Sequence, residues 1–315
     1  MFWNQTGGPM VKKYKIHEGK MLEAEDGNML FYTNIEESEK RYLIDELLID
    51  EHTLNSSLDP DELARLEFEP QHFAFIIKAP KHHLAPEELI FRVQSIGIFL
   101  FSDKMVVVSQ DPLTELFYSK IFQRVYSIKD VFFKIIYSFI IQFYYHLNVI
   151  NKISDELEDK LSQAQENKYL LQLFALEKSL VYYHNAITTN QFLLEKIKFN
   201  AVKLNITGEE MELLEDILIE NNQCLRQAET YSSILASLMD ARASIIANNL
   251  NVLMKILNII TITIMVPTYV VSLFSMNVTI PLAERTDAFW IILFMCLFSA
   301  IAFIVIWNKI ITKFK

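Results

Sequence analysis

The residues of most chemical interest in this chain form a line. Asp240, Ser244, Ala247, Asn251, Met254, Asn258, Thr261, Met265, Thr268, Ser272 and Ser275 follow one another at intervals that alternate between 4 and 3. That is a 3.5-residue period, so on a helix they share one face. Most of the residues between them from Ile256 onward are Ile, Leu, Val and Phe, and Ile256 to Ala283 contains no charged residue. A polar face on an apolar helix of membrane-spanning length must meet something other than lipid. Two readings compete. Small residues permit a tight helix–helix seam. Alternatively, several copies of the helix wall a water-filled pore, since one helix encloses nothing. Two Asn and two Met pack poorly in a seam, and Asp240 on the same face is hard to bury there; both favour the pore.

No competing chemistry is written elsewhere. There is no Gly-rich phosphate loop, no HExxH and no cysteine pair at metal-ligand spacing. The histidines are scattered apart from His82-His83, and no Ser or Cys is arranged with a base as a nucleophile. The chain does not read as an enzyme. Its formal charge of −10 argues against a nucleic-acid partner. Cys224 and Cys296 lie in unlike surroundings, one polar and one apolar, which fits unpaired thiols in a reducing compartment. The N-terminal MFWNQTGGPMVKKYK has no apolar core long enough for a signal peptide.

The elements that must carry the stripe are long helices. A second uncharged run, Ala288 to Asn308, follows the first after a loop holding Glu284, Arg285 and Asp287. The two runs read as a transmembrane hairpin, with Trp290 and Trp307 ~26 Å apart as an aromatic belt. A buried soluble hairpin is the plainer alternative. Lys255, Lys309, Lys313 and Lys315 flank the hairpin, and Arg285 is the loop's only basic residue. The positive-inside rule then places both termini in the cytoplasm and the protein in the inner (plasma) membrane as a multi-pass chain. Residues 113–266 contain no proline and a single glycine, Gly208. This predicts helices over roughly 130–165, 168–200 and 208–275, with a turn at Gln165–Lys168 and another at Asn200–Asn205. The last helix would be ~100 Å long, opened by a capping box in which Thr207 and Glu210 cap each other. Val131–Tyr145 reads as core packing rather than a third span, because Lys134 interrupts it. Residues 1–112 read as a mixed α+β module. The strands fall at Met29–Thr33, Phe73–Lys78, Val93–Phe101 and Met105–Ser109. Ser38–Asp50 and Asp61–Leu66 read as helical. The domains are then 1–145, a cytoplasmic α/β domain; 146–255, long helices forming a stalk; and 256–315, the hairpin, with pore helix 256–275 and second span 288–308.

Phe274-Ser275-Met276-Asn277 resembles the Tyr-Gly-Met-Asn signature of the CorA magnesium channels, which follows their first membrane helix. Asn251-Val252-Leu253-Met254-Lys255 with Pro267 is similar to that family's Asn-x-x-Met-Lys and later proline, and likeness continues upstream through His52–Pro60 and Phe68–Pro80. The resemblance implies a funnel-shaped homopentamer in the lipid bilayer that conducts divalent cations, Mg2+ being both the permeant and the regulatory ion. It implies that Asn277, with Met276 and Ser275, forms the selectivity ring at the outer mouth. Asn251 would form an inner polar ring, and Met254 and Leu257 a hydrophobic constriction. Asn258, Thr261, Met265, Thr268 and Ser272 would line the rest of the pore. Asp216 and Asp240 match acidic positions at which intracellular magnesium acts; the acidic partner expected for Asp216 falls in Lys81–Glu88, which offers His82, His83, Glu87 and Glu88 but no Asp. Two departures bear on metal preference. Ser275 replaces the signature glycine, and Val278-Thr279-Ile280-Pro281 lacks an acid until Glu284. The related ZntB branch supplies the alternative, a transporter of Zn2+, Co2+ or Ni2+ coupled to protons. A non-conducting structural or sensory coiled coil is the third reading.

Overall fold

Short runs rich in Val, Ile and Phe, buried along nearly their whole length, build a sheet covered on both faces. The structure is a computed structural model; it describes residues 10–81, 89–164, 167–277 and 285–313. The turn expected at Gln165-Glu166, the His82–Glu88 segment and the loop Val278–Glu284 lie outside the described residues, as does most of the N-terminal segment weighed as a signal peptide. By contact the chain divides into two units, 1–239 and 240–315.

In the first unit, β1 (Met10–His17), β2 (Lys20–Glu23), β3 (Met29–Thr33), β4 (Arg65–Phe68), β5 (Phe73–Pro80), β6 (Val93–Leu100) and β7 (Met105–Ser109) form one sheet, ordered β2-β1-β3-β7-β6-β5-β4. Only β3 and β7 pair in parallel; the other neighbours are antiparallel. Helices α1 (Glu37–Asp45) and α2 (Glu51–Ser56) pack on one face, where Tyr32, Ala74, Phe99, Val106 and Val108 meet Leu43, Leu47 and Leu54. The opposite face, with Phe31, Phe75, Ile77, Ile98 and Val107, meets α3 (Ile128–Ala164) and α4 (Asn167–Phe199), and the first part of α5 (Gly208–Phe274) joins the same core, bonded to α3 and α4. One residue to the next along a strand, the side chains change faces. Gly97 lets α2 come close: a Cβ there would lie 2.5 Å from the Cβ of Ser57.

Val131–Tyr145 is core, as its composition suggested, with Val131, Phe132, Phe133, Phe139 and Phe143 all buried. Lys134 is accommodated at the rim by Asp130 Oδ2, 2.8 Å away, and by the carbonyl of Arg124. Beyond the start of β4, Lys78 pairs with Ser95 of β6 on one side but has no strand on its other side. Asn190 of α4 fills the gap: the Lys78 N–H donates to Asn190 Oδ1 (2.9 Å), and Asn190 Nδ2 donates to the Lys78 carbonyl (2.8 Å). The Lys78 ammonium is itself buried, donating to the Pro60 carbonyl (2.7 Å) and Ser95 Oγ (2.8 Å). Burial pushes it down to about 8 from the ordinary lysine value, partly offset by the charges of Asp59, Asp61 and Glu62.

Two readings of the N-terminal module need correction. Ser38–Asp50 is not one helix. Leu48 takes φ +55°, which ends the first helix, and Asp50 Oδ2 accepts from the Thr53 N–H (2.9 Å), which starts a second. Asp61–Leu66 is not helical; Arg65–Phe68 is a strand paired with Phe73–Ile76. Its Arg65 is held by Glu62 and Glu67. The β1–β2 hairpin was not foreseen. Its turn, Glu18-Gly19, has positive φ at both residues, the geometry that two-residue hairpin loops favour.

The long helices match their expected spans closely. The α5 capping box is formed: the Thr207 N–H donates to Glu210 Oε2 (2.8 Å) and the Glu210 N–H to Thr207 Oγ1 (3.3 Å). The second unit holds the remainder of α5 and α6 (Ala288–Lys313). The apolar parts of both are long enough to cross a membrane, and almost none of either is buried.

Candidate pore-lining face

Within α5, burial separates two faces. The half-buried residues from 256 onward are Ile259, Ile262, Thr263, Val266, Pro267, Val270 and Phe274. Their contact with α6 is marked by Cys296, which is buried and whose Sγ lies 3.7 Å from the Pro267 carbonyl oxygen. Every member of the stripe, by contrast, is exposed: Asp240, Ser244, Ala247, Asn251, Met254, Asn258, Thr261, Met265, Thr268, Ser272 and Ser275. At about 100° per residue the two sets point roughly 180° apart. The stripe is therefore the face of α5 turned away from α6. Leu257 is exposed beside it, with 56% of its surface free.

Three hydroxyls on this face share one arrangement. Thr261 Oγ1 donates to the Leu257 carbonyl (2.8 Å), Thr268 Oγ1 to that of Ile264 (2.8 Å) and Ser275 Oγ to that of Val271 (3.0 Å). Each spends its single proton on the backbone four residues earlier. What remains facing outward is an oxygen with lone pairs, an acceptor. The outer surface of a hydrated cation consists of water hydrogens, which are donors. Such oxygens can accept from the water of a hydrated cation, as they can coordinate a bare one.

Asn277, Met276 and Ser275 follow the last turn of α5, and all three are exposed. The Ser275 N–H bonds to the Ser272 carbonyl (3.2 Å), closing the helix just before the Met-Asn pair. At the start of α6, Arg285 and Asp287 form a two-pronged ion pair (2.9 and 3.0 Å), so the loop's one basic residue is locally neutralised. Trp290 is well exposed.

Asp216 lies in the first unit, exposed on α5. Glu220, one turn further on, was not singled out from the sequence, although its i, i+4 spacing from Asp216 was there to read. Both carboxylates face Tyr137 of α3, whose hydroxyl is pushed upward by burial first and then by the negative charges of Glu220 and Asp216. Among the described residues no three His, Cys, Asp or Glu side chains converge to hold a metal ion. The segment expected to hold the acidic partner of Asp216, His82–Glu88, lies outside the described residues.

Comparison with known proteins follows the same lines. The family described as CorA-like Mg2+ transporter protein matches residues 30–309. The cobalt/magnesium transport protein CorA of Methanocaldococcus jannaschii is 26% identical over 270 residues, covering 81% of this chain and 82% of that protein. The complete structure of the CorA magnesium transporter from the same organism superposes with a TM-score of 0.80 at 24% identity, over 96% of this chain and 98% of that one. Full-length CmaX gives a TM-score of 0.74 at 14% identity, over 97% and 99% of the two chains. The ZntB cytoplasmic domain from Vibrio parahaemolyticus gives 0.58 at 12% identity, over 75% and 97%. At these identities the structural likenesses speak to fold alone.

Proposed function

Because the chain belongs to the family of CorA-like Mg2+ transporter proteins, we propose that it carries divalent cations, Mg2+ foremost, through a pore walled by five copies of α5. The family is one of transporters, and the chain is read as a transporter and not an enzyme. The observation that carries the proposal is the stripe: a line of polar and small residues, with Met254 and Met265 among them, exposed along its length and, from Asn258 on, opposite the face covered by α6. Left against lipid it is costly; against copies of itself around water it is not.

The roles are those the family resemblance implies, and chemistry supports them. Mg2+ gives up inner-shell water reluctantly. A ring of Asn277 amide oxygens can bind the hydrated ion without stripping it. The acceptors at Ser275, Ser272, Thr268 and Thr261 carry its shell onward past Met265 and Asn258. Met254 and Leu257 form an apolar constriction that closes by dewetting, and Asn251 a polar ring next to it. Asp216 and Asp240 face their counterparts across subunit boundaries, where carboxylates repel until a divalent cation neutralises them. Intracellular Mg2+ then favours the closed, packed state and supplies feedback. Both termini are cytoplasmic and the membrane is the inner (plasma) membrane. The functional division stays at 1–145, 146–255 and 256–315.

The test is flux and mass together. Purified protein in liposomes should pass Mg2+ without a pH gradient, and the assembly should weigh about 184 kDa, five times 36.8 kDa. A stable dimer would restore the tight-seam reading. Transport of zinc, cobalt or nickel that collapses with the pH gradient would assign the chain to the proton-coupled alternative.

A further inference from the structure

The α3-facing row of β6 runs Gln94, Ile96, Ile98, Leu100, and its first member is out of character. Gln94 is only 3% exposed. Its Nε2 donates weakly to the Pro80 carbonyl (3.5 Å), while its Oε1 has no hydrogen-bond partner among the described residues. An amide at a core position with an orphaned acceptor destabilises the fold unless something completes it. Gln94 borders a half-enclosed cavity of about 260 Å³ between the ends of β5 and β6, the turns around Leu113–Ile121 and the middle of α3. A second buried orphan, Ser119 Oγ, lines the same cavity. Ser138 Oγ, also lining it, has already given its proton to the Lys134 carbonyl (2.8 Å) and can only accept. The remaining wall is largely apolar, with Leu113 and Phe139 prominent, and among the described residues no charged side chain contributes.

We propose that this cavity is a binding site for a small uncharged molecule with an apolar body and an O–H or N–H donor directed at Gln94 Oε1. The size fits a single ring: it exceeds the ~150 Å³ that holds benzene and lies below the ~300–1,000 Å³ of drug-sized sites. The absence of a lining charge argues against an ion, which would be buried there unpaired. Gln94 Oε1 and Ser138 Oγ can only accept, while the Ser119 hydroxyl and the Gln142 amide, which also line the cavity, can donate or accept, so a ligand donor is what Gln94 Oε1 requires. The site lies in the sheet module, apart from the pore-lining stripe, and does not depend on the pore reading.

Phenol and toluene are the probes, equal in heavy atoms and differing in one hydroxyl. Hydrogen–deuterium exchange of the full chain in detergent should show phenol slowing exchange in residues 93–100 and 116–122. Toluene should do so only at higher concentration. Gln94→Leu should raise the half-saturating phenol concentration roughly tenfold, the worth of one buried hydrogen bond, and leave toluene nearly unaffected. Gln94→Met, closer in shape, serves if the leucine variant does not fold. The proposal is overturned if phenol protects neither segment short of denaturing concentrations, which would mean that water alone fills the cavity. It is also overturned if toluene protects as well as phenol, or if both variants bind phenol like the wild type.

Discussion

Thr268 and Thr263 offer a matched experiment on the pore-lining face. Both hydroxyls donate to the carbonyl four residues earlier, Thr268 to Ile264 at 2.8 Å and Thr263 to Ile259 at 2.7 Å. They differ in direction: Thr268 is exposed on the stripe, and Thr263 is half-buried on the side that meets α6. Valine replaces the hydroxyl by a methyl of similar size, so each change removes one back-bond and costs the helix the same amount. If the stripe lines the pore as proposed, only Thr268→Val also removes an acceptor from the ion's path, once in every subunit. A net hydrogen bond is worth about 1 kcal/mol, so losing one contact to the hydration shell should slow flux roughly fivefold, and losing two at once roughly thirtyfold. Liposomes loaded with a magnesium-sensitive dye give the rates directly. Thr268→Val should lie in that range and Thr263→Val within about twofold of wild type. Equal effects from the two would show that the helix hydrogen bond, not the face, matters. An unaffected Thr268→Val would remove the stripe from the conduction path.

Three further outcomes are expected. Asn277→Ala should abolish selective flux, while Ser275→Gly should keep flux and raise the preference for magnesium over zinc or nickel; competition flux on both reads this. The double change Asp216→Ala, Asp240→Ala should weaken closure by magnesium inside the vesicle, measured as flux against internal magnesium concentration. Lys78 binds its proton less tightly in the fold, at about 8, than in the unfolded chain at 10.5. Stability should therefore rise as pH climbs from about 8 towards 10.5, a gain of roughly 3 kcal/mol at most. Thermal melts of Lys78→Met should lack that increment.

What the sequence disclosed depended on range. The α3–α6 helices were legible because their limits are local: no proline or glycine for long stretches, a capping box at Thr207, and uncharged runs of membrane length. The strands β3 and β7 were legible from compact β-branched and aromatic runs. β4 was not, because Arg65–Phe68 has no strand pattern of its own and becomes a strand only by pairing with Phe73–Ile76. β1 escaped for a similar reason, since its lysines at 12, 13 and 15 mask the alternation that pairing with β3 imposes. At the site, the stripe was fully written in spacing. Which side of α5 meets α6 was not, since that depends on Pro267 and Cys296 meeting across the hairpin. The orphaned amide of Gln94 was equally invisible, because a glutamine in a strand declares nothing until its neighbours are known.

The back-bonded hydroxyls also answer a difficulty in the pore reading itself. A helix that ends up lining water must first exist in a single chain, where the same face has only lipid beside it. A free hydroxyl there would carry an unsatisfied proton into the hydrocarbon, and each such group is expensive. Thr261, Thr268 and Ser275 avoid this by placing their protons on Leu257, Ile264 and Val271. The amide of Asn258, inside the uncharged run, has no equivalent local way to use both its donors and its acceptor. In the pore reading Asn258 is the residue that draws copies together, and the hydroxyls are the ones that tolerate waiting. Replacing Asn258 by Thr should accordingly weaken assembly while leaving an acceptor in the path. In mild detergent the variant should dissociate at lower temperature than the parent, yet conduct when assembled. A variant that assembles as firmly as the parent would show that the amides line the pore without holding it together.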